Sequence, residues 1–174
     1  MSGLGKLFIF DSKKNIFYRV KSNLSSIYES QNYKGKIIPQ VRGKFSIKDI
    51  FFDREASRIL VSLPIETKPS SACYGMSIYE AKTNSLDMFG ELRFKKFFST
   101  DACNENFNGH ATGGRIKKLK ENIIFTIGDL DHNMYGNPSI PNSKDNAVGK
   151  IISIDKNGVF KLSLIHISEP TRPY

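Results

Sequence analysis

Short runs of alternating apolar and polar residues, separated by polar segments, make up most of the chain. Ile, Phe, Tyr and Val dominate these runs, as is typical of strands with one buried face. No segment of ten or more residues carries an apolar repeat of 3.6 residues, so the sequence predicts no long helix. The predicted strands span residues 6–11, 15–20, 47–53, 58–66, 75–82, 92–98, 113–120, 122–129 and 149–156.

The segments between the runs are short and polar, for example DSKKN, DREAS and DKNG, and they suit tight turns. Three stretches repeat one loose plan of apolar run, polar turn and second apolar run: KLFIFDSKKNIFYRV, KDIFFDREASRILVSL and RIKKLKENIIFTIGD. The sequence therefore predicts an all-β chain of antiparallel hairpins. Such units build either a β-sandwich or the blades of a β-propeller, and their periodicity fits both.

The last of these hairpins carries the candidate chemistry. If a two-residue turn at positions 120 and 121 joins its strands, the register pairs Gly113 with Gly128, Thr112 with Asp129, and His110 with Asp131. Neighbouring strands lie about 4.8 Å apart, so the imidazole of His110 would reach the carboxylate of Asp129 or Asp131. The two opposed glycines would let a flat ligand or another backbone segment approach closely.

A histidine held by a carboxylate keeps one tautomer and can act as a general base near neutral pH. The pair His110 and Asp129 is therefore the candidate catalytic pair. The alternative is a loop histidine beside an exposed acidic turn, and the local pattern leaves both interpretations open.

The segment DLDHN at 129–133 has the D-x-D-x-N spacing that begins a calcium-binding loop. An EF-hand would next need Gly at position 134 and a bidentate Glu at position 140. Met134 and Ile140 stand there instead. We therefore expect no metal site in this segment.

Composition and charge narrow the class of protein. The chain has 174 residues, of which 39% are hydrophobic and 25% charged, as in a globular domain that can bury a core. No apolar run approaches the roughly 18 residues of a membrane span, and MSGLGKLFIF lacks the features of a signal peptide. The formal net charge is +9, but the basic residues are dispersed and mostly lysine. Nucleic-acid surfaces cluster their charge and favour arginine, so we expect no nucleic-acid partner.

The two cysteines, Cys73 and Cys103, each lie in a polar, turn-like stretch. They are a possible disulfide in an exported protein or two free thiols in a cytosolic one. Neither has a second Cys or His at the spacing of a zinc site.

The final segment, LSLIHISEPTRPY at 162–174, differs in style from the rest of the chain. It resembles the translation of an adapter used to prepare sequencing libraries, and we expect it to be non-native. His166 is accordingly no candidate for a functional role. Residues 1–161 are then the native part, and the natural C-terminus is expected to lie further on.

The segments GHATGGRI, NIIFTIGD and NSKDNAVGKIISIDKNG, in this order, resemble the glucose/sorbosone dehydrogenase family. These are soluble quinoprotein sugar dehydrogenases built as six-bladed β-propellers. The matching elements are His110, Gly114-Arg115-Ile116, Gly128-Asp129 and Gly149-Lys150-Ile151. The resemblance spans residues 42–158 and implies that residues 1–161 form about three of six blades, at the N-terminal side of a longer protein.

The resemblance also implies a function. The family oxidises a sugar hydroxyl by hydride transfer to pyrroloquinoline quinone (PQQ), which is held with Ca²⁺. His110 would be the general base, Asp129 its orienting partner, and Arg115 an anchor of its strand. The contacts to PQQ and Ca²⁺ are expected beyond residue 161, so the fragment alone is expected to be inactive. A periplasmic or extracellular location is implied. The alternative is a non-catalytic propeller that binds a carbohydrate or a protein.

Overall fold

The chain folds into short antiparallel strands. The computed structural model describes residues 7–29, 46–67, 73–83, 91–107 and 109–161, so the expected tail at 162–174 lies outside the described residues. The strands in these ranges are β1 (Leu7–Asp11), β2 (Ile16–Val20), β3 (Asp49–Asp53), β4 (Arg58–Glu66), β5 (Tyr74–Lys82), β6 (Lys95–Ser99), β7 (Gly113–Leu119), β8 (Asn122–Ile127), β9 (Ile151–Ile154) and β10 (Phe160–Lys161). All nine predicted strands are present, with ends shifted by three residues at most, at the start of β6.

Four short elements were not predicted. They are the strand β10 and the helices α1 (Leu24–Glu29), α2 (His132–Tyr135) and α3 (Ser139–Asn142). Each is too short to show a period in the sequence. None of the helices in the described ranges has the length and apolar character needed to cross a membrane.

The strands form three antiparallel sheets in which consecutive strands are neighbours. The first sheet contains β1 and β2, the second has the order β3-β4-β5-β6, and the third has the order β10-β9-β8-β7. Successive four-stranded meanders are the architecture of propeller blades. The predicted all-β fold, a partial β-propeller, is confirmed.

The second sheet is buried on both faces. Side chains alternate along β4 and β5, so that one set faces the third sheet and the other faces the first sheet and α1. Leu60, Met76 and Ile78 share a core with Ile116, Phe125 and Ile152 of the third sheet. Val61, Leu63 and Ile65 share a second core with Val20 and Leu24. The two cores hold the sheets face against face.

A buried ion cluster lies at the start of β4. Arg58 is 5% exposed, and its guanidinium donates from Nε to Oδ2 of Asp53 and from Nη1 to Oε2 of Glu80, both at 3.1 Å. The guanidinium carbon also lies 4.9 Å from the ring centroid of Phe97. Lys118 of β7 donates to Oδ1 of Asp53 at 3.1 Å, which links the cluster to the third sheet.

Polar contacts fix the third sheet against the second beside the candidate site. The backbone N–H of Ile116 donates to Oδ2 of Asp49 at 2.8 Å. The hydroxyl of Ser62 donates to the carbonyl oxygen of Gly114. A Cβ at Gly114 would lie 2.5 Å from Cβ of Lys48, so this approach requires glycine. These contacts fix the position of β7 relative to the second sheet.

Candidate functional site

The hairpin of β7 and β8 has the predicted turn but a shifted register at its far end. Leu119 lies opposite Asn122 as predicted, yet Gly113 lies opposite Ile127 and not Gly128. A β-bulge between Gly113 and Ile116 adds one residue to β7. Gly113 and Gly114 have φ of 65° and 99°, which glycine adopts without steric cost. The predicted register was therefore wrong by one residue from the bulge onward.

The shift changes the partners of the predicted pairs but keeps the two segments together. The amide of Gly128 donates to the carbonyl oxygen of Thr112 at 3.0 Å, and that of Leu130 donates to Ala111 at 3.2 Å. The predicted Thr112–Asp129 pairing is thus replaced by Thr112 with Gly128. The segment that follows His110 runs directly beside the segment that contains Asp129.

Gly128 lies between two chain segments that approach it closely, the one before β7 and the one before β9. A Cβ at this position would collide with the carbonyl group of Ala111. On the other side, the carbonyl oxygen of Gly128 accepts the N–H of Gly149 at 2.9 Å, and Ile127 donates to the carbonyl of Lys150 at 2.8 Å. Gly128 therefore permits the close approach of another backbone segment, which is one of the two roles predicted for this glycine.

Lys150 fixes the segment that precedes β9. Its Nζ donates to the carbonyl oxygens of Pro141 at 3.1 Å and Val148 at 2.9 Å. Burial lowers the pKa of Lys150, and the charge of Asp101 partly opposes this effect. The Gly-Lys motif therefore anchors the backbone beside Gly128.

His110 and Asp129 lie in these adjoining segments. His110 is exposed, and Asp129 is half-buried. The carboxylate of Asp129 accepts the backbone N–H of Asp131 at Oδ1 (3.1 Å) and that of Asn133 at Oδ2 (3.4 Å). It thus stabilises the turn into α2. The assignment of His110 as base and Asp129 as its partner stays a prediction.

The backbone around this end of the hairpin is strained. Ala111, Leu130 and Asp131 have φ of 44°, 52° and 62°, in the left-handed region that costs a non-glycine residue about 1–2 kcal/mol. Such residues persist only where the surrounding structure fixes them, and they cluster at functional sites. The strain here flanks both candidate residues.

The loop after β8 contains a further histidine, His132, for which the sequence predicted no role. His132 is 4% exposed, and its Nδ1 accepts the backbone N–H of Asn137 at 3.2 Å. Burial lowers the pKa of His132, and the charges of Asp129 and Asp131 partly oppose this effect. The imidazole is therefore neutral near pH 7 with its proton on Nε2, an atom that is buried and has no hydrogen-bond partner in the described residues. The sequence signalled this residue only by its place in DLDHN.

Cys73 and Cys103 form a disulfide, with their Cα atoms 5.3 Å apart. The sequence had left open whether these residues pair or stay as thiols. The bond joins the start of β5 to the loop after β6, residues 100–107. Within the described ranges, no group of three or more His, Cys, Asp or Glu residues could hold a metal ion.

Arg115 lies within the bulge and faces solvent, with 77% of its side chain exposed. Its Nη1 lies 3.5 Å from Oδ1 of Asp49 in the second sheet. The role of Arg115 as an anchor of its strand stays a prediction.

Comparison with solved structures gives similar folds among sugar dehydrogenases. A structure described as a glucose dehydrogenase superposes with a TM-score of 0.63 and 12% identity over 95% of this chain and 42% of its own. A second glucose dehydrogenase gives 0.53 and 13% over 67% of this chain and 34% of its own. The soluble aldose sugar dehydrogenase of Escherichia coli in its apo form gives 0.52 and 17% over 72% and 34%.

These similarities establish the fold. The chain spans between 34% and 42% of the length of these structures. No protein-family profile matches the chain, and no curated protein sequence matches it significantly. The resemblance that the motifs predicted is thus confirmed at the level of architecture: the chain folds like part of a sugar dehydrogenase.

Proposed function

We propose that the full-length gene product is a sugar dehydrogenase-like oxidoreductase. In this proposal His110 removes the proton from a sugar hydroxyl, and Asp129 holds the imidazole in the tautomer that accepts it. The observation that supports it is the meeting of three motif segments at Gly128, which bonds to Thr112 on one side and to Gly149 on the other. His110 is exposed at this meeting point, as a base that acts on a dissolved sugar must be.

The resemblance implies PQQ as hydride acceptor, held with Ca²⁺. Ca²⁺ binds six to eight oxygen ligands, several of them carboxylates. The described residues contain no cluster that suits a metal ion, so they do not fit such a site. The proposal assigns neither group to these residues. The proposed role of the described residues is the removal of the hydroxyl proton by His110, with Asp129 as its partner.

A location outside the cytoplasm, periplasmic or extracellular, is part of the proposal. The disulfide between Cys73 and Cys103 supports it, because such bonds persist in oxidising compartments.

One observation favours a second candidate, a propeller that binds a carbohydrate or protein without redox chemistry. Both carboxylate oxygens of Asp129 accept backbone N–H groups of its own loop. A carboxylate used in this way has a sufficient structural role without orienting a base.

Turnover of the full-length protein tests the first candidate. The protein is incubated with PQQ, Ca²⁺, an aldose and a dye acceptor, and reduction of the dye is followed. General-base catalysis contributes about 10²–10⁴-fold, so His110→Ala should lower kcat by that factor. Glu121→Gln, in the exposed turn at the opposite end of the same hairpin, is the matched control.

Two results would contradict the proposal. One is equal turnover of His110→Ala and the parent protein. The other is no turnover together with no change in the PQQ absorption spectrum. Sugar binding measured by calorimetry without turnover would support the second candidate instead.

A further inference from the structure

The disulfide borders a short β-bridge that ties the loop 100–107 to β5. Asn104 donates its backbone N–H to the carbonyl of Tyr74 at 3.0 Å and accepts the N–H of Tyr74 at 3.3 Å. Cys73 and Cys103 precede these two residues directly. The covalent bond therefore fixes the position of Asn104 on β5.

The side chain of Asn104 extends from this bridge to the candidate site. It is 4% exposed, and its Nδ2 donates to the carbonyl oxygen of Leu130 at 2.9 Å. Its Oδ1 accepts the N–H of Asn106 at 2.9 Å, which fixes the orientation of the amide. Leu130 follows Asp129 directly and is one of the strained residues. The amide thus holds the peptide group that joins Leu130 to Asp131.

Two further features hold the loop 129–136 against the loop 100–107. A Cβ at Gly136 would lie 2.8 Å from Nδ2 of Asn104 and 2.6 Å from Nδ1 of His132, so the glycine lets the loop close over both side chains. Nδ2 of Asn106 donates to the carbonyl of Tyr135 at 2.9 Å, on the exposed side of the loop. The loop 129–136 is therefore bound to the loop 100–107 along its length.

We propose that Asn104 is a positioning residue for the carboxylate of Asp129, and that the Cys73–Cys103 disulfide holds Asn104 in place, so that reduction of this bond loosens the candidate site. A dithiol reductant would transfer two electrons and two protons to the cysteine pair, leaving two thiols and an oxidised reductant. The catalytic consequence rests on the proposed function. The structural coupling does not.

Amide hydrogen exchange at Asp131 and Asn133 reports the position of the Asp129 carboxylate, because both amides donate to it. Asn104→Asp keeps the acceptor for Asn106 and removes the donor to Leu130. We expect exchange at both amides to accelerate by about tenfold or more, since a buried carbonyl loses its partner. Asn106→Asp, the exposed matched control, should change it by less than about threefold, and the amides of β4 should keep their rates.

The disulfide is tested in the same measurement. Dithiothreitol treatment of the folded protein and the double variant Cys73→Ser/Cys103→Ser should both accelerate exchange at Asp131 and Asn133. Added to Asn104→Asp, the double variant should cause little further change, because the two act through one connection. Reduction of the folded protein supplies the result if the double variant fails to fold.

A spectroscopic signal separates positioning from general loosening. The NMR titration midpoint of His132 should rise in Asn104→Ala, because burial of the imidazole is what lowers its pKa. It should stay in place in Asn106→Ala. An unchanged midpoint, unchanged exchange at Asp131, or an equal acceleration in β4 would each overturn the proposal. None of these readouts uses turnover, so failure of the His110 experiment leaves them valid.

Discussion

Replacement of Arg58 by methionine tests whether the buried ion cluster stabilises the junction of the second and third sheets. The change keeps most of the side-chain volume but removes the charge between Asp53 and Glu80, each less than a tenth exposed. Removing one partner of a buried ion pair costs about 3–5 kcal/mol. Lys118 still contacts Asp53 at 3.1 Å and Lys95 still contacts Glu80 at 3.3 Å, which favours the lower end of that range.

Urea unfolding followed by circular dichroism measures this effect. With a denaturant dependence of about 1–3 kcal/mol/M, a loss of about 3 kcal/mol lowers the midpoint by roughly 1–3 M. Lys95→Met is the matched control, since it removes another cation of the cluster from a side chain that is 72% exposed. Because the ammonium group of Lys95 is largely exposed to solvent, its pair with Glu80 should contribute no more than about 1 kcal/mol.

The pH dependence gives a second, independent check. Burial alone would raise the pKa of Asp53, but hydrogen bonds from Lys118, the N–H of Ala56 and Arg58 together lower it. The resulting stability is present above the unfolded value of about 3.9 and is lost as the pH falls through the lower folded value. The difference between Arg58→Met and the parent should therefore shrink in acid. Equal midpoints at pH 7, or a difference that persists in acid, would refute this reasoning.

Three further predictions concern the hairpin of β7 and β8, its contact with β3, and the loop that follows it. Asp49→Ala leaves the N–H of Ile116 without its acceptor and should lower the free energy of unfolding in urea by about 1–3 kcal/mol, whereas Asp49→Asn, which keeps an acceptor oxygen, should lose less than half of that. Because the pKa of His132 is lowered in the folded state, the free energy of unfolding should decrease as the pH falls below about 6.5. His132→Gln should reduce this pH dependence between pH 7 and 5. An unaltered pH dependence would show that burial of His132 does not cause it. Lys120 has a φ of 54° in the exposed turn, so Lys120→Gly should raise the free energy of unfolding in urea by about 0.5–1 kcal/mol. A lower free energy of unfolding in this variant would show that the turn does not strain lysine.

The strands could be predicted because their information is local. In β4 a nearly continuous apolar run, rich in β-branched residues, is bounded by polar segments, as is typical of a strand buried on both faces. The helix α1 escaped prediction because six residues are too few to show a period, although Leu24 is fully buried. Helix propensity and apolar periodicity can be recognised only over segments longer than α1, α2 and α3.

The candidate site depends on contacts between residues far apart in sequence, and these were harder to foresee. The glycine pair at 113–114 signalled a special backbone, but alternation alone could not place the bulge that shifts the register. The loop around His132 closes over Asn104, 28 positions earlier, because Gly136 lies close to both side chains. The pairing of Cys73 with Cys103 stayed open because a sequence does not state its redox environment.

The double-faced burial of the second sheet affects how the chain can vary. Strands β4 and β5 contribute side chains to both cores. Because both cores are closely packed, a larger side chain on one face of these strands would also displace residues packed on the other face. Substitutions there must be compensated in two places at once. The turns at 54–57 and 120–121 belong to neither core. Amino-acid substitutions should therefore accumulate faster in these turns than in β4 and β5 as the sequence diverges.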